Sequence, residues 1–390
     1  MRLAVLAALG VAFSLLLPAV ARAADCHAPA NASIVQVPGF PFGMAAASDG
    51  CWIFVSMWTG RKSGALTVLH DSGDTFSVAR EVPLSGGGSG ETLTHDGKLL
   101  IVTQWNGDVA AYDVGKLELP SGDPLLGTLR EGRYAGAVYA ITSLDDRLLF
   151  VSDESDRRLS VYDLAKWRRN GFKRDPLIGY VPTAAAPVGL ALSPDGKWLY
   201  STSQKALPQM GVSSSCRPET GRERRHPQGL LLRIDVDKAA KHPRDSLSGG
   251  VQAGCNPVRV AMAPDGNYLW VSARDSNAVL RIPASSLTAH GHVDVTSFNV
   301  GGGPVGIAVR PDGKQVWIAV ANRFANTKYN PQGREVVGLL DTAGTSTDQI
   351  TAVSEPASAF PRELIFLPDA RTFAVGLFDA KRIEFFTTPP

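Results

Sequence analysis

Hydrophobic and polar residues alternate in short runs along this chain, and the clearest copy of the pattern covers residues 257–282. One alternating run reaches Pro264-Asp265-Gly266 and a second run follows it, which predicts two antiparallel strands joined by a tight turn. Proline fixes φ in such a turn, aspartate caps it through its side chain, and glycine adopts the positive φ that ends it. A third run, residues 278–282, predicts a third strand.

The same unit recurs along the chain, and an acidic residue marks each predicted turn. The seven markers are Asp49, Asp96, Asp146, Asp195, Asp265, Asp312 and Asp369. Their separations of 47, 50, 49, 70, 47 and 57 residues fit the period of four-stranded propeller blades, with insertions at residues 206–229 and 324–335 that explain the two longest. Since one unit cannot bury its apolar faces alone, the copies predict a single repeat body rather than several domains.

The two ends of the chain complement one another in this scheme. Fourth strands are predicted at residues 77–83, 177–181 and 294–300, whereas the last unit supplies only residues 373–376 and 382–387 after its turn. Residues 33–37 precede the first inner strand at 43–47 and can serve as the missing outermost strand. The sequence therefore predicts an all-β, seven-bladed β-propeller over residues 24–390, closed by its N-terminal strand as the outermost strand of the last blade, which hides exposed sheet edges.

The first 23 residues predict a cleaved secretory signal, because one early arginine precedes an apolar run and Ala21-Arg22-Ala23 is a small-x-small cleavage site. No later stretch approaches the length needed to span a membrane. Without Arg2 and Arg22, 37 basic residues balance 37 acidic ones, which gives no electrostatic case for nucleic acid. We therefore expect a periplasmic or secreted protein; its oligomeric state is not predicted.

Four cysteines in an exported chain predict two disulfides, with three pairings to choose from. Propeller topology separates the pairings, since Cys26 and Cys51 fall on one face in adjoining blades, whereas Cys216 and Cys255 both fall on the opposite face. Bridged Cα atoms must approach within about 7 Å. We expect Cys26 to pair with Cys51 and Cys216 with Cys255.

The units PVGLALSPDGKWLYST, PVRVAMAPDGNYLWVSARDSNAVLRI and PVGIAVRPDGKQVWIAV resemble the YVTN-type β-propeller repeat and the related seven-bladed lactonase family. The resemblance covers nearly the whole mature chain and implies the propeller fold. It also implies that Asp153 and Asp156 match the acidic segment that lactonases carry after a second strand. The inner strands at residues 135–141 and 187–192 lack the histidines of that family, and Ser203-Gln204 stands in place of its Asn-Glu pair.

A propeller binds its ligands by default in an axial pocket, on the face where inner strands begin and second strands end. The predicted ligand-binding residues at these ends are Trp58, Glu91, Gln104, Trp105, Gln204, Arg274, Asn322 and Arg323. Arginines can hold an anionic ligand through paired hydrogen bonds. The alternative is that arginines and glutamates of adjoining blades neutralise one another around a wet channel.

For chemistry, the candidate residues are Asp153 with Arg259 or Arg362, since a carboxylate near the axis can activate water while arginine stabilises an oxyanion. A loop acid bonded to the backbone is the competing explanation for Asp153. No metal site is predicted, because the closest histidines, His290 and His292, have no further ligand at a suitable spacing. No cofactor is predicted either.

The leading functional hypothesis is an exported binding or interaction protein that recognises a small polar or anionic ligand, or a protein partner, at the axial face. The alternative is a metal-independent lactone hydrolase or cycloisomerase of the seven-bladed lactonase type. Convergence of Asp153, Arg259 and Arg362 on the axis is expected of the enzyme, and mutual ion pairs on the axis are expected of the binding protein.

Overall fold

The computed structural model of this chain describes residues 26, 33–60, 62–73, 75–132, 135–217, 225–287, 294–321, 335–341, 353–355 and 359–388. The predicted signal at residues 1–23, the pair Asn322 and Arg323, and most of the insertion at 324–335 lie outside this described part. Within it, the chain is an all-β β-propeller. None of its helices is long and apolar enough to span a bilayer.

Strands account for most of the described chain. In order they are β1 (Ile34–Gln36), β2 (Phe40–Ala46), β3 (Trp52–Gly60), β4 (Ser63–Asp71), β5 (Phe76–Leu84), β6 (Gly88–Leu93), β7 (Leu99–Gln104), β8 (Asp108–Asp113), β9 (Leu125–Arg130), β10 (Ala137–Thr142), β11 (Leu148–Asp153), β12 (Arg158–Asp163), β13 (Leu177–Pro182), β14 (Ala185–Leu192), β15 (Trp198–Lys205), β16 (Ser215–Cys216), β17 (His226–Asp235), β18 (Leu247–Cys255), β19 (Pro257–Met262), β20 (Tyr268–Ala273), β21 (Ala278–Pro283), β22 (Thr296–Asn299), β23 (Pro304–Val309), β24 (Gln315–Val320), β25 (Glu335–Asp341), β26 (Val353–Glu355), β27 (Pro361–Phe366), β28 (Thr372–Leu377) and β29 (Arg382–Thr387).

Short helical turns connect some of these strands. They are α1 (Val114–Leu117), α2 (Leu164–Arg169) and α3 (Val236–Ala239), together with 3-10 turns at Pro208–Met210, Pro243–Asp245, Arg274–Ser276 and Ala284–Ser286. Each α-helix begins after an aspartate whose side chain accepts a hydrogen bond from a backbone N–H of the first turn. The caps satisfy N–H groups that have no partner inside the helix.

The strands of the described chain pair into seven antiparallel sheets. Sheet 1 contains β2–β5, sheet 2 β6–β9, sheet 3 β10–β13, sheet 4 β14–β18, sheet 5 β19–β22, sheet 6 β23–β26 and sheet 7 β27–β29 with β1. The first strand of each sheet contacts the first strand of the next sheet, and β27 of sheet 7 contacts β2 of sheet 1. In sheet 7, β1 pairs with β29 so that Val35 lies opposite Ile383.

Hydrophobic cores fill the spaces between neighbouring sheets. Phe76 of sheet 1 stacks on Phe385 of sheet 7 with ring centroids 4.9 Å apart. Middle strands such as β7, β24 and β28 are buried along their whole length. A strand covered on both faces needs a continuous apolar run, and this explains why LLIVTQ and QVWIAV do not alternate.

Aspartates cap the turns between the first and second strands, as the sequence predicts. The Asp195 carboxylate accepts the backbone N–H of Lys197, and Asp265 does the same for Asn267. In the third unit the sequence marker Asp146 is wrong, because Asp145 makes this bond to Arg147. Asp146 instead occupies the position that glycine takes in other turns, with φ of 54°. Its Oδ1 lies 3.0 Å from Nδ1 of His95, in the turn after β6 of sheet 2.

Both predicted disulfides are present. Cys26 pairs with Cys51 at a Cα–Cα distance of 5.2 Å, and Cys216 pairs with Cys255 at 5.7 Å. The second bridge ties the insertion of sheet 4 to the end of β18. Two disulfides are typical of a compartment outside the cytosol.

Candidate functional site: an axial cavity

A cavity of about 580 Å³ opens at the centre of the propeller, and all seven sheets contribute to its lining. The lining residues are Phe40, Phe42, Trp58, Gly60, Trp105, Val138, Glu154, Val188, Gln204, Val258, Arg259, Arg274, Val305, Ala321, Phe360, Arg362 and Phe378. Its size lies within the usual range for sites that enclose a small molecule.

Two rings of equivalent residues build most of this lining. The mouth ring is the residue at the end of each second strand, namely Trp58, Trp105, Glu154, Gln204, Arg274, Ala321 and Phe378. The strand pairings place these seven in the same register, and Trp105 and Arg274, for example, both donate their backbone N–H to the loop before the first strand. Each first strand starts with three aligned residues, such as Pro257-Val258-Arg259, which we call the first-strand motif. The inner ring consists of the second residue of this motif. Its members in the cavity lining are Phe42, Val138, Val188, Val258, Val305 and Arg362.

Aromatic side chains cover one side of the cavity. This aromatic wall consists of Phe40, Phe42, Trp58, Trp105, Phe360 and Phe378, all from sheets 1, 2 and 7. Phe42 and Trp58 lie nearly parallel, with an interplanar angle of 6°. The guanidinium carbon of Arg362 sits 3.6 Å from the centroid of Phe42, a cation–π contact. The Trp58 Nε1–H is buried without a hydrogen-bond partner among the described residues.

The opposite side of the cavity is polar. This polar wall consists of Glu154, Gln204 and Arg274, which are the mouth residues of sheets 3, 4 and 5. Gln204 Nε2 donates to Glu154 Oε1 at 2.6 Å. Arg274 Nε lies 3.4 Å from Asp275 Oδ1, behind the lining. The cavity therefore has two chemically different sides.

Three side chains meet near the axis beside the cavity, and we call them the axial floor. Tyr139 donates its hydroxyl to Glu363 Oε2 at 2.7 Å, and Arg259 Nη2 donates to the same oxygen at 3.0 Å. The Arg259 guanidinium also stacks 3.8 Å above the Tyr139 ring. These residues come from sheets 3, 5 and 7, which are not neighbours, so they can meet only near the axis. The ion pair corresponds to the mutual neutralisation that the sequence offered as an alternative.

Glycines make room for the axial floor. The third residue of the first-strand motif is Tyr139, Arg259 or Glu363 in three sheets, and it is Gly43, Gly90, Gly189 or Gly306 in the other four. A Cβ on Gly90 would lie 2.4 Å from Cδ1 of Tyr139 and 2.6 Å from the Val138 carbonyl oxygen. The three large side chains therefore occupy the space next to the axis that the four glycines, which have no side chain, leave empty.

Replacing Gly90 with alanine should lower the free energy of unfolding by about 1–3 kcal/mol, because an overpacked methyl must displace Tyr139 or the backbone of β10. Urea unfolding measures the loss, and near-ultraviolet circular dichroism reports the displaced tyrosine. Gly115→Ala is the matched control, since its Cβ would meet nothing closer than 3.5 Å and alanine favours the helix there. Equal stability of the two variants would contradict tight packing at the axis.

Several predicted site residues are brought together by this arrangement. Trp58, Trp105, Gln204, Arg274, Arg259 and Arg362 all line the cavity. Gln104 does not, because its Oε1 accepts the Gly86 N–H and the Ser85 hydroxyl away from the axis. Asn322 and Arg323 lie outside the described residues.

Glu91 is buried beneath the cavity rather than in its lining. It faces Ser56, whose hydroxyl bonds to the Ser89 carbonyl, and neither Glu91 carboxyl oxygen has a partner of normal hydrogen-bond geometry among the described residues. Burial raises the pKa of Glu91 well above its ordinary value, and the nearby Glu363 carboxylate raises it further. Burial thus favours the neutral form of Glu91, which lies near the axis but does not line the cavity.

Asp153 also lies away from the cavity, and the next residue, Glu154, takes the mouth position. Arg158 Nε donates to Asp153 Oδ2 at 3.0 Å, and the hydroxyl of Ser160 lies 2.7 Å from the same oxygen. Asp153 and the axial arginines therefore do not share one site. Successive residues of a strand point to opposite faces, so a shift of one position separates a cavity residue from an inter-sheet one.

Asp153 belongs to a buried acid pair, and its partner Glu131 was not among the residues predicted from sequence. The Ser160 hydroxyl, which bonds to Asp153, also lies 2.5 Å from Oε2 of Glu131. The Tyr162 hydroxyl donates to Oε1 of Glu131 at 2.6 Å. One hydroxyl has one proton to donate, so bonds to both carboxyls require one of them to be protonated. Burial and the Asp153 charge raise the pKa of Glu131 to about 8, which favours Glu131 as the protonated member of the pair; burial raises the pKa of Asp153 as well.

Residues that sequence reasoning missed are the rest of the two rings. Phe42 and Phe378 occupy ring positions and Tyr139 lies in the axial floor, but none of the three carries a charge that would single it out. Aligning the units on their turns and taking the residue after each second strand would have found Phe378. In the described part of the chain, no group of three or more histidine, cysteine, aspartate or glutamate side chains is arranged to hold a metal ion.

No protein-family model matches the chain. Among curated proteins, antigen Lp49 of Leptospira interrogans serogroup Icterohaemorrhagiae serovar copenhageni (strain Fiocruz L1-130) is 27% identical over 187 residues, which make up 47% of this chain and 35% of the antigen. The chain thus matches only about a third of that relative's length.

Solved structures share the architecture at low sequence identity. Kuenenia stuttgartiensis hydrazine synthase has a TM-score of 0.65 at 17% identity, covering 90% of this chain and 96% of its own. A chain of a mitotic checkpoint complex has a TM-score of 0.64 at 15% identity, with coverages of 98% and 100%. The Cps50 (Swd1) β-propeller domain of Myceliophteria thermophila has 0.63 at 11%, with coverages of 92% and 99%. The predicted propeller fold is confirmed, and the similarity to YVTN-type and lactonase-like proteins stays a resemblance.

Proposed function

We propose that this chain is an exported, seven-bladed β-propeller, closed by its N-terminal strand, that binds a small polar or anionic ligand or a protein partner in the axial cavity. The pairing of β1 with β29 and the contact between β27 and β2 support the closed ring. Both disulfides support export, as does the likeness to a protein known as an antigen. The propeller fold itself fits an interaction role.

The observation that carries the proposal is the shape of the axial site. The axial-floor side chains bond to one another near the axis, and the mouth ring lies on the face where ligands enter propellers. Trp105 at this mouth is 43% exposed, although large apolar side chains usually avoid water. A cup with an exposed aromatic rim and several fixed hydrogen-bond donors is suited to binding.

The hydrolase alternative has less support. It requires a carboxylate that can activate water beside the axial arginines, and Asp153 is engaged with Arg158 and Ser160. Arg259 is likewise engaged with Glu363. Glu154 does line the cavity, but Gln204 donates to its carboxylate, which suits a fixed polar contact better than a general base.

Binding is testable by thermal unfolding of the mature protein in the presence of lactones, sugar acids, aromatic acids and candidate partner proteins. A ligand at one hundred times its Kd should stabilise the protein by about 2.7 kcal/mol. The variant Val188→Trp, which places an indole in the cavity, should lose this stabilisation. Leu247→Trp makes a similar change on an exposed outer strand and should keep it.

Each outcome of that screen bears on the proposal. Stabilisation that survives in Val188→Trp would place the binding site elsewhere and overturn the axial proposal. Turnover of a lactone, abolished in the Asp153→Asn variant, would favour the hydrolase instead. Stabilisation without turnover that is lost in Val188→Trp supports an axial binding protein.

A further inference from the structure

One backbone conformation repeats in five sheets of the described propeller, at the residue directly before the first-strand motif. There the chain enters the left-handed region, with φ values from 49° to 68°. The residues at this position in sheets 3–7 are Gly136, Ala186, Asn256, Gly303 and Phe360. Glycine and asparagine adopt this region readily, whereas the Cβ of other residues lies too close to a carbonyl oxygen. Phe360 is the bulkiest side chain of the five and therefore the least expected there.

The Phe360 ring lines the axial cavity. Its centroid lies 5.5 Å from that of Phe378, the mouth residue of sheet 7. Phe40, which precedes the first-strand motif of sheet 1, lies 5.3 Å from the same ring, and all three side chains line the cavity. We call Phe40, Phe360 and Phe378 the phenyl cluster. Residues in unfavourable backbone conformations are concentrated at sites that clamp ligands, so the position of Phe360 suggests a role in binding.

The rings of the phenyl cluster are tilted and do not form one flat face. The interplanar angle is 58° between Phe360 and Phe378 and 35° between Phe40 and Phe378. The Arg362 guanidinium is nearest to Phe42, at 3.6 Å from its centroid, and lies farther from Phe360 and Phe378. Phenyl rings have no hydrogen-bonding atom, so a hydroxyl group placed against the cluster loses water without a replacement. The cluster therefore favours a rounded apolar group.

Resting on the proposed binding function, we propose that Phe360 determines specificity at the axial site by contacting an apolar group of the ligand. The left-handed backbone persists at this residue because the contact requires its ring. The ligand class narrows from polar compounds in general to small compounds that carry an aliphatic or aromatic ring. The contact needs no charge on the ligand, and a fully hydroxylated ring does not fit it.

The backbone part of the inference is tested by stability. Phe360→Ala removes the ring and keeps the Cβ, whereas Phe360→Gly removes both. Glycine is normally the less stable of the two because it loses more entropy on folding, and a positive φ reverses this order. Phe360→Gly should therefore melt higher than Phe360→Ala, by roughly 2 °C. A glycine variant that melts below the alanine variant would show that the residue is not strained and would overturn the inference.

Two neutral rings of equal size test the contact on the intact mature protein. Cyclohexanol has an apolar ring with one hydroxyl, and myo-inositol carries a hydroxyl on every ring carbon. Titrations followed by saturation-transfer NMR should give roughly tenfold tighter binding for cyclohexanol, a factor that about two buried methylene groups supply. Val188→Trp should abolish this binding. Equal or tighter binding of myo-inositol would overturn the inference, and this comparison needs no variant at position 360.

Variants of two phenylalanines separate the contact from general effects on the fold. Phe360→Gly should weaken cyclohexanol binding roughly tenfold, and Phe360→Leu, which keeps an apolar side chain, should retain most of it. Phe172→Gly is the matched control, since Phe172 also has a positive φ, of 62°, and packs on Trp167 outside the cavity lining. It should bind cyclohexanol as the unmodified protein does. Undiminished binding in Phe360→Gly would overturn the role of the ring.

Failure of the inference is distinguishable from failure of the proposed function. A sugar, lactone or partner protein that binds while cyclohexanol does not, and that Val188→Trp blocks, would overturn the apolar contact and leave axial binding intact. No binding of either ring, and no ligand or partner blocked by Val188→Trp, would overturn both.

Discussion

Replacing Arg259 with methionine is expected to lower the free energy of unfolding by about 3–5 kcal/mol. The Arg259 and Glu363 side chains are only 8% and 12% exposed, so the change leaves a carboxylate in the axial floor without its counter-ion. Breaking a buried ion pair by removing one partner costs this much because the remaining charge is desolvated and uncompensated. Urea unfolding followed by far-ultraviolet circular dichroism measures the loss.

The double variant Arg259→Met/Glu363→Gln tests the cause. A neutral amide still accepts the Tyr139 hydroxyl, and the buried charge is gone, so most of the lost stability should return. Arg147→Met breaks an exposed pair with Asp145 and should cost less than about 1 kcal/mol. A double variant as unstable as Arg259→Met would mean that packing, and not the ion pair, stabilises the floor.

Stability should fall between about pH 5 and pH 8 because of Glu131. Its pKa is about 8 in the folded protein against an ordinary value of 4.5, so over this window the native state binds a proton that the unfolded state has released. Stability contributed by a group with a raised pKa is present below the unfolded value and is lost as pH rises toward the folded value. The slope approaches about 1.4 kcal/mol per pH unit for one proton.

Glu131→Gln should flatten this part of the stability profile. The amide is neutral at every pH and can still donate to Ser160 while accepting from Tyr162. Asp312→Asn is the control, since the Arg310 hydrogen bond lowers the pKa of Asp312 to about 2 and confines its effect to acidic solution. Denaturant midpoints at half-unit pH intervals give both profiles. Parallel profiles for the Gln variant and the unmodified protein would show that Glu131 does not carry the proton.

The strand pattern of this chain was readable from sequence because each unit repeats one local signal. Alternation predicted the strands, and an aspartate followed by glycine predicted five of the seven turns, as at Asp195 and Asp265. The turn at Asp145 was misassigned because two consecutive aspartates offer the same local chemistry. In the glycine position the Asp146 carboxylate contacts His95 and Asp96 of sheet 2 as well as Thr142, and the contacts to sheet 2 are not local in sequence.

The sequence located most of the cavity-lining positions to within one residue, and their role in binding stays a prediction. Charged and aromatic residues at strand ends suggested Trp58, Trp105, Gln204 and Arg274, and all four line the cavity. At β11 the catalytic candidate Asp153 lies one residue before the mouth position, and at β7 Gln104 was predicted beside Trp105; a step of one residue turns the side chain to the opposite face. Glu131 could not be found, because its role depends on proximity to a strand of the next sheet.

The axial floor also limits how similar the repeats can be to one another. Seven tyrosines or seven arginines at the third motif position would collide at the centre, and seven glycines would leave an open tube through the molecule. A chain assembled from identical copies of residues 257–282 could therefore not reproduce this closed base, so divergence at that one position is a geometric requirement of the repeat and not merely accumulated drift.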